Sequence, residues 1–297
     1  MSISQFKPGS CSATLLGIFL SLIFSTSSSA QVSVVSTVRP LQFISQAILL
    51  DDDVAYAIEN DSHAAHSITL SPQDRIQIES ADLVLWISED FEIYLTDLLE
   101  SSNAELTALK AADIAELTLH RMPNGDLDPH LWLDPNNALL IAKHLTAELV
   151  KLAPARAQSY ESRLAAFQEN LHAEWQRVEQ EIATTSPKPY AVYHDAFRYI
   201  ETPLGLSPAV VLLDNPEVEP GMRDIIAKRQ QLEATNPQCI FLEPEASPEL
   251  VDTMLQQLTP QRVTMDILGS SIEEGDQAYL HLLNHVAEGF SNCISTD

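Results

Sequence analysis

Between Pro154 and Pro187 the chain runs for more than thirty residues without proline or glycine. Within that run Leu164, Phe167, Leu171, Trp175 and Val178 recur at three- and four-residue steps, which is the apolar stripe of an amphipathic helix. A proline in the first turn is tolerated because its missing N–H would have no helical partner there. The pattern predicts one long helix over residues 154–184, roughly 40 Å or more at 1.5 Å per residue. An element that long separates the N-terminal half of the chain from the C-terminal half, so two bodies joined by it are expected.

Both flanks alternate strand-like and helix-like segments. Before the long helix, Val32–Val38 is a β-branched run stopped by Arg39-Pro40, and Leu41–Leu50 has a helical pattern. Ala81–Ile87 is continuously apolar, as expected of a parallel strand covered on both faces. Helical stretches come next at Phe91–Leu99 and Asn136–Leu152. After the long helix, strands are expected at Tyr190–Tyr193, Ala209–Leu213, Cys239–Leu242 and Arg262–Asp266. Helices are expected at Pro220–Ala234, Pro248–Leu258 and Asp276–Gly289. The fold class is therefore α/β: two (β/α) lobes with mainly parallel sheets, residues 31–153 and 185–297, joined by the 154–184 helix. Ligands in such an architecture belong at strand C-terminal ends and in the cleft between lobes.

Residues 1–30 hold no Asp or Glu, one lysine (Lys7), an apolar run Leu15–Phe24 and the small-residue ending Ser28-Ser29-Ala30. This reads as a secretory signal cut after Ala30. The apolar run is short of the about 20 residues a membrane span needs. The net charge of −26 works against binding to nucleic acid or anionic lipid and favours cations. Cys11 lies in the signal, which leaves Cys239 and Cys293 in the exported chain. Two cysteines in an oxidising compartment most simply form one disulfide, the alternative being two separate buried thiols.

Of nine histidines, His66, His130 and His194 sit in loops or at expected strand exits, some sixty residues apart, and His63 lies just before His66. Asp266 ends a fourth expected strand. Three neutral imidazoles plus a carboxylate or water suit tetrahedral zinc. The spacing matches no compact zinc-finger signature, and by itself leaves hydrogen-bonded loop histidines as an equal reading. His144 and His172 fall within helical patterns, and His120 precedes a turn. His281 and His285 form an i, i+4 pair near the C-terminus, read as an ordinary helix side; without an adjacent glutamate it is no HExxH motif.

Several segments, taken in order, resemble one family. STVRPLQFISQAI, HSITLSPQD, PHLWLDP, YAVYHDAFRYIETPLGL, NPEVEPG, CIFLEPEASPELV and MDILGSSI are similar to segments of the periplasmic metal-binding proteins of bacterial ABC importers (cluster A-I), most closely the zinc-uptake, ZnuA-like, type. The resemblance covers essentially the whole exported chain. It implies that His66, His130 and His194 are zinc ligands, that Asp266 matches an aspartate completing the site in some members, and that Cys239 and Cys293 form the family's disulfide. Manganese-type members carry a carboxylate where His194 stands, so the resemblance favours zinc. Two features depart from the pattern. Ala65 replaces a glutamate that some zinc-type members have before the first ligand, which makes His63 a weaker extra candidate beside Asp266 or water. The segment before His130 retains only His120 and a few acidic residues of a long His/Asp-rich loop.

The expected function is capture of Zn2+ in the periplasm and delivery to the transmembrane subunit of an ABC permease, by a monomer that is not an enzyme. The alternatives are a manganese carrier of the same family and a secreted zinc hydrolase using Asp266 or Glu243 as base. For Glu243 itself, a structural role is the expectation. No feature supports an exported adhesin. Trp132 and its flanking prolines should stiffen the backbone that aims His130. Asp128 is a candidate partner for a ligand histidine, and Asp134 a helix cap.

Overall fold

The computed structural model describes residues 1–2, 31–58, 70–101, 106–122, 124–185, 188–216 and 218–294. The expected signal segment therefore lies almost wholly outside the described residues, and so do His63 and His66.

The first half builds a parallel sheet of order β2-β1-β3-β4 from β1 (Ser33–Ser36), β2 (Val54–Ala57), β3 (Leu83–Trp86) and β4 (Thr107–Lys110). Its helices are α1 (Arg39–Ile48), α2 (Pro72–Ser80), α3 (Ile93–Ser101) and α4 (Pro135–Leu152). The second half repeats the plan with order β6-β5-β7-β8, from β5 (Tyr190–His194), β6 (Val210–Leu213), β7 (Cys239–Leu242) and β8 (Gln261–Thr264). Its helices are α6 (Arg198–Leu204), α7 (Met222–Thr235), α8 (Pro248–Leu255) and α9 (Ala278–Ile294). Between the halves runs α5 (Ala157–Ala183), whose 27 residues span about 40 Å.

Strand alternation sends side chains to two different cores. Val34, Leu83 and Leu85 face a central cluster, while Val35, Val84 and Trp86 face an outer one with Ile78 of α2 and Leu95 of α3. In the second sheet Tyr190, Val192, Cys239 and Phe241 face the same central cluster. Ala191, Tyr193 and Ile240 face outward, onto Ile225 of α7 and Val251 of α8. The middle of both sheets is thus covered on both faces, which is why β3, β5 and β7 read as continuous apolar runs. The central cluster also takes Phe43 of α1, Leu145 of α4, Phe167 of α5 and Tyr279 of α9, so one core serves both lobes.

Several boundaries differ from the sequence reading. Arg39-Pro40 does not stop a strand; it opens α1, with the proline in the first turn. The long helix starts at Ala157, because Pro154–Arg156 forms a separate 3-10 turn. Buried Arg156 fixes that turn by pairing with Asp52 and with Asp53 (2.6 Å), and Tyr160 also donates to Asp53 at 2.9 Å. His194 is the last residue of β5, in register with Leu213, and does not lie beyond the strand. Asp266 lies two residues beyond β8. The last helix runs through Gly289 to Ile294, and a Cβ at Gly289 would collide with the Met265 sulfur. That helix brings Cys293 to Cys239 at the start of β7; they form a disulfide with a Cα–Cα distance of 5.8 Å.

Candidate metal centre

His130 and His194 come from opposite lobes and meet in the cleft. Their Nε2 atoms are 3.3 Å apart, and both side chains are buried.

Each imidazole is held from behind by a carboxylate. In the first lobe Asp128 Oδ1 accepts the backbone N–H of His130 at 3.1 Å, a turn closed two residues on, and lies 2.8 Å from His130 Nδ1. A 3-10 turn, Leu131–Leu133, comes at once, and Asp134 then caps α4 by accepting the Asn136 N–H at 2.8 Å. In the second lobe His194 Nδ1 lies 3.1 Å from Glu243 Oε1. The parallel register explains that contact. Val192 pairs with Phe241, so His194 and Glu243 leave adjacent strands at the same level. Burial pushes the His194 pKa down, but the Glu243 carboxylate outweighs it and holds the group above its ordinary value. Burial likewise pushes the Asp128 carboxyl up, and the His130 contact leaves it lower than usual.

Asp266 is buried, and its Oδ2 accepts from Ser270 Oγ at 2.8 Å, Ser271 N at 3.2 Å and Ser271 Oγ at 3.4 Å. Burial raises its pKa, and these donors bring it below the usual carboxylate value. Among the described residues, no three His, Cys, Asp or Glu side chains are gathered closely enough to hold a metal. The structure thus unites two of the sequence-derived candidates, His130 and His194. Asp266 lines a separate small cavity beside Glu243, and His66 and His63 lie outside the described residues.

The histidine pair opens into a cavity of about 520 Å³, with Phe91 and Leu127 on its walls and Asp90, Asp126, Asp195 and Asp214 around it. Asp195 is paired with Arg198 and Asp214 with Lys228, so the net negative charge that favours cations there comes from Asp90 and Asp126. His120 does not reach the site; its ring lies edge-on to Tyr199, 4.6 Å between centroids. His285 belongs to α9 and accepts the Asp266 N–H at 3.4 Å.

Trp132 is fully buried and its ring lies edge-on to His130, with centroids 5.4 Å apart. Its indole N–H donates to the Ile267 carbonyl across the lobes at 3.1 Å, and Tyr279 OH donates to the Trp132 carbonyl at 2.8 Å. It therefore stiffens the His130 segment, as expected, and also joins that segment to the Asp266 loop. Sequence reasoning does not pair Glu243 with His194. The signal for that contact is the alignment of YAVYH with CIFLE as neighbouring strands.

Comparison with known proteins agrees with this architecture. The family model described as zinc-uptake complex component A, periplasmic, matches residues 34–293. The high-affinity zinc uptake system protein ZnuA of Yersinia pestis is 25% identical over 292 residues, covering 89% of this chain and 92% of that protein. Its counterpart from Brucella suis is 24% identical over 335 residues, covering 98% and 97%. A ZnuA crystal structure superposes with a TM-score of 0.78 at 20% identity, over 89% of this chain and 99% of that one. The laminin-binding protein Lmb of Streptococcus agalactiae, described as a bifunctional protein with adhesin and metal transporting activity, gives 0.76 at 25% identity, over 89% and 99%. With a family model matched over most of its length, the chain belongs to the periplasmic zinc-uptake component A family, whose members are solute-binding proteins of ABC importers.

Proposed function

We propose that the chain captures zinc in the interlobe cleft through His66, His130, His194 and Asp266 and delivers it to an ABC-type permease. The carrying observation is the 3.3 Å between His130 Nε2 and His194 Nε2. Two imidazole nitrogens on tetrahedral zinc, each bonded at about 2.0–2.1 Å, stand about 3.3 Å from one another. In the tautomers that place each ring proton on Nδ1, beside Asp128 and Glu243, both Nε2 atoms would present lone pairs. Two lone pairs facing each other at that distance repel unless a proton or a metal ion sits between them. The site is therefore arranged for a cation before the cargo arrives.

His66 enters by its sequence segment and Asp266 by its burial near the cleft. Imidazole where a manganese carrier has a carboxylate favours zinc over manganese. Glu243 faces the side of the His194 ring remote from Nε2, so it serves as an orienting group and not as a base acting on a metal-bound water. That supports a carrier rather than a hydrolase. Residues 1–30 direct export, and the chain acts as a monomer.

The test is metal analysis of the purified chain from Gln31 onward, and then competitive titration with zinc and manganese. One tightly bound zinc per chain, displaced poorly by manganese, is the expected result. Replacing His194 by Ala should weaken zinc binding by orders of magnitude; an unchanged isotherm would remove His194 from the ligand set.

A further inference from the structure

Asp266 belongs to the second lobe by sequence, yet the loop just beyond it is fastened to the first. Arg39, the first residue of α1, donates from Nε to the Gly269 carbonyl at 3.4 Å and from Nη2 to the Ile272 carbonyl at 3.1 Å. Its Nη1 lies 3.5 Å from Glu274, which also accepts from Gln42 at 3.2 Å and Gln46 at 2.9 Å. The same guanidinium lies over the Phe43 ring, 5.1 Å from its centroid.

Between the two carbonyls that Arg39 holds lie Ser270 and Ser271, the donors to Asp266 Oδ2. The loop also approaches α1 so closely that a Cβ at Gly269 would come within 2.6 Å of the Phe43 ring. Gly269 adopts φ +69°, a region that favours glycine, so that close approach and the turn toward Asp266 are both met by one residue. The connections form a continuous path: α1, Arg39, the 269–272 backbone, the two serines, and the carboxylate.

We propose that Arg39 is a positioning residue that sets the Asp266 carboxylate for zinc from the opposite lobe. This rests on the reading of Asp266 as a ligand. Groups that orient a ligand characteristically change metal affinity by about 10–100-fold when removed. Arg39 acts one step further out, through backbone carbonyls and serine donors, and its loss should weaken zinc binding by about tenfold, the lower end of that range. Its side chain is partly exposed and meets the central cluster only where the guanidinium covers the Phe43 ring, so R39K, which keeps the aliphatic stem, controls for lost packing there.

The experiment is a double-mutant cycle read by competitive zinc titration, on wild type, R39A, D266A and the pair, with R39K as the conservative variant. D266A should weaken binding, R39A should weaken it about tenfold, and R39A should add little once Asp266 is gone. R39K should recover part of the loss, and S270A, which removes the 2.8 Å donor, should behave like R39A. If D266A leaves affinity unchanged, the ligand reading falls and the positioning role with it. If D266A weakens binding but R39A and S270A do not, only the positioning role is overturned. Equal effects of R39A in both backgrounds would overturn it too, because Arg39 would then act independently of Asp266.

Discussion

Glu243 Oε1 stands 3.1 Å from Nδ1 of His194, and Glu243 itself is almost wholly buried. A carboxylate behind a ligand imidazole fixes the tautomer that leaves Nε2 as the donor to metal, and raises its basicity. E243A should therefore reduce zinc affinity by about 10–100-fold. D128A should do the same through His130. Titration against a chelator of known strength checks both, and a loss confined to one of them would show that only one ring depends on its carboxylate.

Zinc and protons compete for the same lone pairs. The folded pKa of His194 lies above its ordinary value because Glu243 stabilises the charged ring against burial. Zinc affinity should be highest above that folded pKa and fall as pH drops through it. The decline should thus begin at a higher pH than for an unperturbed imidazole, near 6.5. An affinity that stays flat from about pH 8 to about pH 5 would contradict the site.

The metal-free protein should respond to pH in the opposite sense. A group whose pKa is raised on folding contributes stability fully below its unfolded pKa, about 6.5, and loses it as pH rises through the folded pKa. Thermal unfolding of the zinc-free chain should show this loss on the alkaline side, and H194Q should flatten it. If H194Q leaves the pH profile unaltered, the Glu243 contact is not what moves the titration.

Trp132 sits against His130 and bonds the opposite lobe, so it should report the cargo. Zinc addition should change the intrinsic fluorescence, and W132F should abolish most of that change. The same variant leaves the Ile267 carbonyl without its donor, at a cost of about 1–3 kcal/mol in urea unfolding. A full fluorescence response in W132F would assign the signal to Trp86 or Trp175.

The Cys239–Cys293 disulfide spans 54 residues of chain. On the loop-entropy model such a link contributes about 4 kcal/mol. Reduction, or paired replacement by Ser, should lower the unfolding midpoint accordingly while zinc affinity stays near wild type, because the bridge lies at the far end of β7 from Glu243.

Periodicity decides which elements are legible in the sequence. The continuous apolar runs at β3, β5, β6 and β7 and the stripe along α5 carry strong local signals, and they locate those elements to within a few residues. β2 and β4 give no such signal. Both are four residues long and partly exposed, so neither shows a clean alternation or an unbroken apolar run. α6 is hidden by Pro203, which sits inside it. α2 escapes although its Ser71–Asp74 capping box is visible, because the helix has almost no amphipathic pattern beyond the cap. At the site, residue types and spacing leave His130 and His194 as even candidates for ligands or loop histidines, and the family resemblance singles them out. Their orienting contacts separate into a local one, Asp128, legible two positions away, and a remote one, Glu243, which requires knowing that β7 lies beside β5.

The central core draws side chains from both sheets and from α1, α4, α5 and α9. Two lobes that share one interior should melt in a single cooperative transition. Zinc should shift that transition as a whole, by an amount set by its concentration relative to its Kd. There is also an evolutionary consequence. Each lobe has an outer core of its own, but the central core is completed only by both halves. A lobe exchanged between relatives would have to match the partner's inner face, and substitution within the existing pair is the simpler route to a changed metal preference.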